Sequence, residues 1–308
     1  MCLHIHSETA ARVFDLRFGK NMKKIFSGAI IVMLMIAAVF VLQKKCHLFG
    51  VLGIEQMTEE REKEFITRLH DGIMKGEKEV VLEYLGSPDT VEDFVTEALN
   101  QAMELDDKST SSDYDYMKFK QAATYMNMKG YGSYYVVTYK MEYLETYEQT
   151  QEVEKKVQEI LKELKLDDKT EYQKVKAIHD YIVEHVTYDL STEKNTAYTA
   201  LTNQISACQG YATLFYKMLT DAGIECRIIG GSTDGTPHAW NIVKVDGAWY
   251  NVDCTWDDPI GGGTKERYRY DYFLKSNRAF ADHIRDAEYD TEEFNQEYVI
   301  SPTSYKIK

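Results

Sequence analysis

Apolar positions run at helical spacing over residues 57–105, then change to a two-residue period, and the change marks where a sheet begins. Over residues 57–105 the pattern is helical, with Phe65, Ile66, Leu69 and Ile73 on one apolar face and Val91, Phe94, Val95, Ala98 and Leu99 on another. Gly86-Ser-Pro-Asp89 separates the two as a turn, with Asp89 or Thr90 as the next cap. Residues 108–113 are polar and read as a loop. Two tyrosine-rich stretches, 116–129 and 133–143, predict strands joined near Lys129-Gly-Tyr-Gly132; alternation is clearest at Tyr135, Val137, Tyr139, Met141 and Tyr143. Helical spacing returns over 148–166 at Val153, Val157, Ile160, Leu161 and Leu164. Asp167-Asp168-Lys169 breaks it, and Thr170-x-x-Gln173 has the form of a capping box for the following helix.

Residues 206–258 hold the chemistry. Ser206-Ala-Cys208-Gln209 also fits a capping box, followed by a helical stripe at Tyr211, Leu214, Phe215, Met218, Leu219 and Ala222 and a terminating Gly223. With Ser206 as N-cap, Cys208 falls in the first turn, where unpaired N–H groups and the positive end of the helix dipole favour a thiolate. Gly210 leaves room there for a neighbouring backbone or a substrate. Residues 224–229 read as a strand, and 239–245 and 248–254 read as a pair turned by Asp246-Gly247. In that register Val245 faces Ala248, Trp240 faces Asp253 and His238 faces Thr255. His238, Trp240, Trp249, Asn251 and Asp253 then share one face; Val243, Val245, Tyr250, Val252 and Cys254 share the other. Diagonal neighbours on a sheet stand about 7–8 Å apart, which long side chains can close. Asp253 can therefore orient His238 as a base toward the Cys208 thiol.

At these positions the chain resembles the transglutaminase-like superfamily of cysteine acyltransferases and peptidases. The motifs are Cys208-Gln-Gly-Tyr-Ala212, His238-Ala-Trp-Asn241 and Trp249-Tyr-Asn-Val-Asp253-Cys-Thr-Trp-Asp-Asp258. Upstream, Lys174-Val-Lys-Ala-Ile-His-Asp-Tyr-Ile-Val183 and Tyr188-Asp189 resemble the segment preceding this core in bacterial members. The resemblance runs from about Glu152 to His283. It implies an α+β, papain-like core, its nucleophile helix packed on an antiparallel sheet. It also implies Cys208 as nucleophile, His238 as base and later acid, and Asp253 as orienter. The backbone N–H of Cys208 is the expected oxyanion donor and Gln204 a candidate for the second. Trp240, Trp256 and Asp257 are candidates to line the cleft, with core packing an equal prospect for the tryptophans. His283 follows the core and can approach the cleft, a structural role being the favoured reading.

A length of 308 residues with 44% hydrophobic content allows about two soluble units. Residues 25–42 form an uncharged apolar run near the length that crosses a bilayer, with Arg12, Arg17, Lys20, Lys23 and Lys24 before it and Lys44 and Lys45 after. That bias predicts a cytoplasmic amino terminus (1–24), a transmembrane anchor (25–42), an accessory α+β region (43–148) and an extracytoplasmic catalytic domain (149–308). The alternative is a secreted protein released by signal cleavage. A last strand is expected at Tyr272-Phe273-Leu274. Residues 1–50 carry seven basic against two acidic side chains, so the remainder is more acidic than the net −14 of the whole. Such a surface is a poor fit for nucleic acid. Five cysteines do not make a disulfide framework, although Cys226 and Cys254 lie on predicted strands and can be weighed as a pair. A zinc site of Cys208, His238 and Cys254 has suitable residue types, but Cys254 projects to the opposite face; no metal or organic cofactor is implied. The expected function is an extracytoplasmic cysteine acyltransferase or peptidase acting on amide bonds of protein or peptide substrates, hydrolysis being favoured over cross-linking. The alternatives are a non-catalytic cell-surface binding module on the same fold and an amidase of cell-wall stem peptides.

Overall fold

The computed structural model describes residues 32–44, 47–53, 56–105, 114–258 and 270–306. Residues 25–31 of the apolar run lie outside the described residues. Residues 32–44 are helical, and among the described residues no helix is long and apolar enough to cross a membrane. The chain divides into two compact units, one of residues 1–61, 83–93 and 128–137, the other of residues 62–82, 94–127 and 138–308. In the first, His47 stacks on Tyr134 with ring centroids 4.5 Å apart, and Gly86 N–H donates to the Ser133 carbonyl at 2.9 Å.

Helix α1 (Glu59–Met74), strand β1 (Glu79–Leu85), helix α2 (Val91–Met103) and helix α3 (Tyr114–Lys120) lead into β2 (Gln121–Tyr131) and β3 (Tyr134–Tyr143). These strands form a sheet in the order β1-β3-β2. The continuous helical reading of 57–105 is corrected by β1, where Val80, Leu82 and Tyr84 are buried and Glu79, Val81 and Glu83 exposed. A two-residue period over six residues is a strand signal, obscured by the helical stripes on either side. The tyrosine-rich stretch 116–129 is corrected at its start, which is α3. There Arg227 holds Asp115 in a bidentate pair (Nε–Oδ2 2.7 Å, Nη2–Oδ1 3.0 Å) while Ile228 N–H donates to the same carboxylate at 2.8 Å.

Next come α4 (Tyr147–Leu164) and α5 (Glu171–His185), each opened by a reciprocal capping box, Thr146 with Gln149 and Thr170 with Gln173. Strands β4 (Thr187–Tyr188) and β5 (Ile205–Ser206) pair in parallel just ahead of α6 (Cys208–Asp221). Helix α6 is the centre of the larger core. Leu214, Phe215, Met218 and Leu219 are completely buried, with Val157 of α4 and Ile178 and Ile182 of α5 in the same cluster. Each such side chain contributes about 1.5–3 kcal/mol by leaving water, so the helix and the residue at its start are held firmly.

The sheet against α6 is antiparallel, ordered β8-β7-β6-β9, from β6 (Cys226–Thr233), β7 (Thr236–Val245), β8 (Ala248–Val252) and β9 (His283–Arg285). Val245 pairs with Ala248 and Asn241 with Val252, the register expected from a two-residue turn. Asp246 and Gly247 both have positive φ (51° and 80°), as that turn demands. Beyond Val252 the chain leaves the sheet and winds into α7 (Cys254–Asp257), so no strand residue faces His238 from this side. The expected strand at 272–274 is also corrected. Only Lys275 bridges to Asn251, and the edge strand is β9, whose pairing with β6 could not be read from three residues.

Gly210 is the tightest point at the start of α6. A Cβ there would stand 2.7 Å from the Thr196 carbonyl oxygen and would collide with the Ser206 hydroxyl. Gly210→Ala is expected to destabilise the protein by about 1–3 kcal/mol, the usual range for overpacking. Urea unfolding measures this; an unchanged midpoint means the neighbouring turn yields without cost.

Candidate active site

Cys208 is the first residue of α6, but the cap expected before it does not form. Ala207 is the N-cap, without a side-chain bond. Ser206 belongs to β5, and its hydroxyl donates to the Lys194 carbonyl at 3.1 Å. Gln209 turns outward from the helix and donates to the Phe119 carbonyl at 2.8 Å, which ties α3 to the residue after the thiol. The local preference for a capping box lost to strand pairing. The consequence for Cys208 is unchanged, since its N–H and its neighbour's are still among those an α-helix leaves unpaired.

His238 Nε2 lies 2.6 Å from Asp253 Oδ2, and the same ring interacts with the Cys208 side chain. Burial works against protonation of this imidazole. The bonds to Asp253 and Cys208, and the negative charge on both, outweigh that penalty and raise its pKa to about 10. Asp253 is fully buried, which by itself would raise its pKa; its two imidazole partners, His238 and His283, instead hold it well below the usual carboxylate range. Its second oxygen, Oδ1, caps α7 by accepting from Thr255 N–H at 2.8 Å and Trp256 N–H at 3.2 Å. Thus the helical turn that ended the strand also orients the carboxylate.

The remaining candidates divide. Trp240 is buried beneath His238, with rings 6.2 Å apart and tilted by 21°. Trp256 is half-buried and lies 6.1 Å from the His238 ring. Asp257 does not line a cleft: completely buried, it accepts from Tyr272 N–H at 2.9 Å and meets His179 Nε2 at 3.1 Å. Gln204 is exposed with φ 56°, and its carbonyl receives Thr187 N–H at 2.9 Å, so its backbone serves the β4–β5 junction. Cys226 and Cys254 are free, buried thiols whose pKa burial pushes up, whereas Cys208 is partly accessible.

Three residues beyond those candidates belong to the neighbourhood. Tyr188, quoted above only as part of a motif, has its phenol pKa raised by burial and then by negative charge at Cys208, Asp189 and Asp253. Asp258 receives the Tyr211 hydroxyl at 2.6 Å, and burial raises its carboxyl to about 6. His283 bonds Asp253 Oδ2 at 2.9 Å. No spacing rule links residues 253 and 283, so only the β6–β9 pairing reveals the contact.

His238, Asp253 and His283 are also a group of metal-ligand types whose donor atoms lie within 4.8 Å of one another. The two nitrogens stand 2.6 and 2.9 Å from the carboxylate oxygen. Ligands held at roughly 2.1 Å around a tetrahedral ion would be about 3.4 Å apart. The spacing is that of hydrogen bonds, and these residues do not fit an ion as they stand.

Residues 158–254 match the family model described as the transglutaminase-like superfamily. Kyphoscoliosis peptidase of Homo sapiens is 30% identical over 151 residues, which span 42% of this chain and 23% of that protein. The Mus musculus kyphoscoliosis peptidase is 28% identical over 132 residues, spanning 37% of this chain and 20% of that one. The chain therefore spans less than a quarter of the length of these curated relatives. A crystal structure of a TGase aligns at 16% identity with a TM-score of 0.34, covering 47% of each chain.

The electrostatics at His238 carry a pH signature. Its native pKa of about 10 exceeds the ordinary 6.5, so its contribution to stability is fully present below pH 6.5 and is lost as pH rises through 10. The midpoint of urea unfolding is expected to fall between pH 7 and 10 in the wild type. Asp253→Asn should flatten that fall by removing the negative partner. An equally steep fall in the variant would detach it from this pair.

Proposed function

We propose that this transglutaminase-like core is a cysteine acyl-transfer site that cleaves or transfers amide bonds of protein or peptide substrates through Cys208, His238 and Asp253. The observation that carries the reading is the position of His238. One ring nitrogen is bonded to a buried carboxylate, and the ring interacts with a thiol at the start of a helix. In that arrangement the imidazolium and the helix N-terminus both stabilise the thiolate. The thiolate attacks the substrate carbonyl, and the oxyanion that develops is met by the N–H of Cys208. His238 protonates the departing amine from Nδ1, the C–N bond breaks, and a thioester remains on Cys208. Attack by water, its proton passing to His238, releases the acid. Attack by a lysine amine would instead give a cross-link. Asp253 keeps the imidazole oriented throughout and is not itself protonated.

Hydrolysis is the favoured outcome; cross-linking would require in addition a docking site for the amine and exclusion of water. The half-exposed Trp256 and the phenol of Tyr188 are the proposed walls for the acyl donor, beside Cys208 and His238. For the whole protein we propose an extracytoplasmic location with residues 25–42 as anchor, on the basis of their apolar run and the basic residues before it. A cell-surface or cell-wall peptide is the substrate class consistent with that placement.

Alkylation tests the chemistry without a known substrate. Treated with iodoacetamide at pH 6–7, the protein is expected to label at Cys208 at least tenfold faster than at Cys226 or Cys254, as mapped by mass spectrometry. His238→Ala should abolish the difference. Slow, equal labelling of the three thiols would favour a binding module on the same fold.

A further inference from the structure

Asp253 is a carboxylate with a donor on every side, and one of those donors plays no part in the reaction proposed above. His283 Nε2 stands 2.9 Å from Asp253 Oδ2, the same oxygen that His238 approaches at 2.6 Å. The other nitrogen of His283, Nδ1, is 2.9 Å from Asp282 Oδ1, and Asp282 Oδ2 accepts the Tyr272 hydroxyl at 2.6 Å. Each nitrogen of His283 therefore meets a carboxylate oxygen. The imidazole is completely buried, enclosed by Phe280 at 3.8 Å, Trp256 at 5.0 Å and Trp240 at 5.1 Å between ring centroids. Strand β9 fixes its height, because His283 is paired with Thr233 at the end of β6 while Gly231, two residues back on β6, is paired with His238.

We propose that His283 is a second, positioning histidine of the site. It holds Oδ2 of Asp253 in the plane that serves His238 and stabilises the carboxylate in its ionised form. This rests on the acyl-transfer reading but assigns a residue that reading does not need. The geometry makes a specific claim about Oδ2. Oδ1 is held by the two α7 amides, so the carboxylate has one oxygen left to direct, and two imidazoles share it. Without His283 the carboxylate can rotate about its Cβ–Cγ bond and loses a donor to its charged form. His238 is then less well oriented, the thiolate of Cys208 less well stabilised, and protonation of the cluster begins at higher pH. The side chain of His283 is completely buried, so its effect on Cys208 must travel through Asp253 and His238.

The pH profile of Cys208 alkylation by iodoacetamide reads this directly. His283→Phe keeps a ring of similar size and deletes the donor; His283→Gln places an amide N–H near the position of Nε2. The phenylalanine variant is expected to lose about tenfold in alkylation rate at pH 6, its acid limb moving up by about one pH unit. The glutamine variant should return most of the wild-type profile. A purely packing role gives the opposite order, with phenylalanine tolerated and glutamine impaired. That order, or a wild-type profile in a folded His283→Phe protein, overturns the proposal. If His283→Phe does not fold, Asp282→Asn weakens the bond to Nδ1 from the exposed side and must shift the acid limb in the same direction by less; an unmoved limb there also overturns it. His238→Ala separates the two readings, since loss of selective Cys208 labelling there alongside an unaffected His283→Phe leaves the acyl-transfer site standing and removes only the second histidine.

Discussion

A single buried carboxylate organises the functional end of this protein. Asp253 is almost completely inaccessible, and an ionised group in that position is costly unless its lone pairs are occupied. They are occupied by groups from three places in the chain. The amides of Thr255 and Trp256 come from the turn that follows it, His238 from the neighbouring strand β7, and His283 from the far edge strand β9. The sheet must therefore be complete, edge strand included, before the carboxylate is fully satisfied. The same bonds hold the imidazole that faces the thiol, so folding and site geometry share one set of contacts.

The turn carrying this carboxylate is held from behind. Asp253 N–H donates to the Tyr272 carbonyl at 3.1 Å, and Tyr272 N–H donates to Asp257 at 2.9 Å, so the backbone at 272 clamps both ends of α7. On its other side Asp257 meets His179, a buried histidine of α5 that also reaches Asp180 at 3.2 Å. Burial opposes protonation of His179, but its two carboxylate partners raise its pKa. A second charged cluster ties α3 to β6 through Asp115 and Arg227, with Arg227 Nη1 donating to the Tyr298 hydroxyl at 2.5 Å. Removing one partner from such a buried pair costs about 3–5 kcal/mol, far more than the pair contributes relative to apolar packing, so these clusters specify one arrangement rather than add stability. Through Phe119, α3 also receives the side chain of Gln209 next to Cys208.

Local features of the site were the legible ones. The Asp246-Gly247 turn imposed the β7–β8 register, and alternation along β7 then placed His238 and Trp240 on one face and Val243 and Val245 on the other. The capping boxes at Thr146 and Thr170 formed as their spacing implied. The box at Ser206 did not, because a serine engaged in β5 cannot also serve as a helix cap. Strand β1 is hard to read because its six alternating residues lie between two stronger helical stripes. Asp257, a candidate for the cleft, is instead pointed at His179 by the one-turn helix that follows Asp253.

The amino-acid sequence by itself determined the turn, the strand alternation, the glycine beside the thiol and a helix beginning at Cys208, because each depends on φ preferences or on contacts within a few residues. Tertiary structure decided how Asp253 is satisfied, which histidine besides His238 reaches it, and where Asp257 points. Those outcomes depend on pairing β9 with β6 and on bringing residues 179, 253, 272 and 283 together. No local preference encodes such meetings. They follow from closing a common core in which a buried charge has to find donors from whatever elements the fold places beside it.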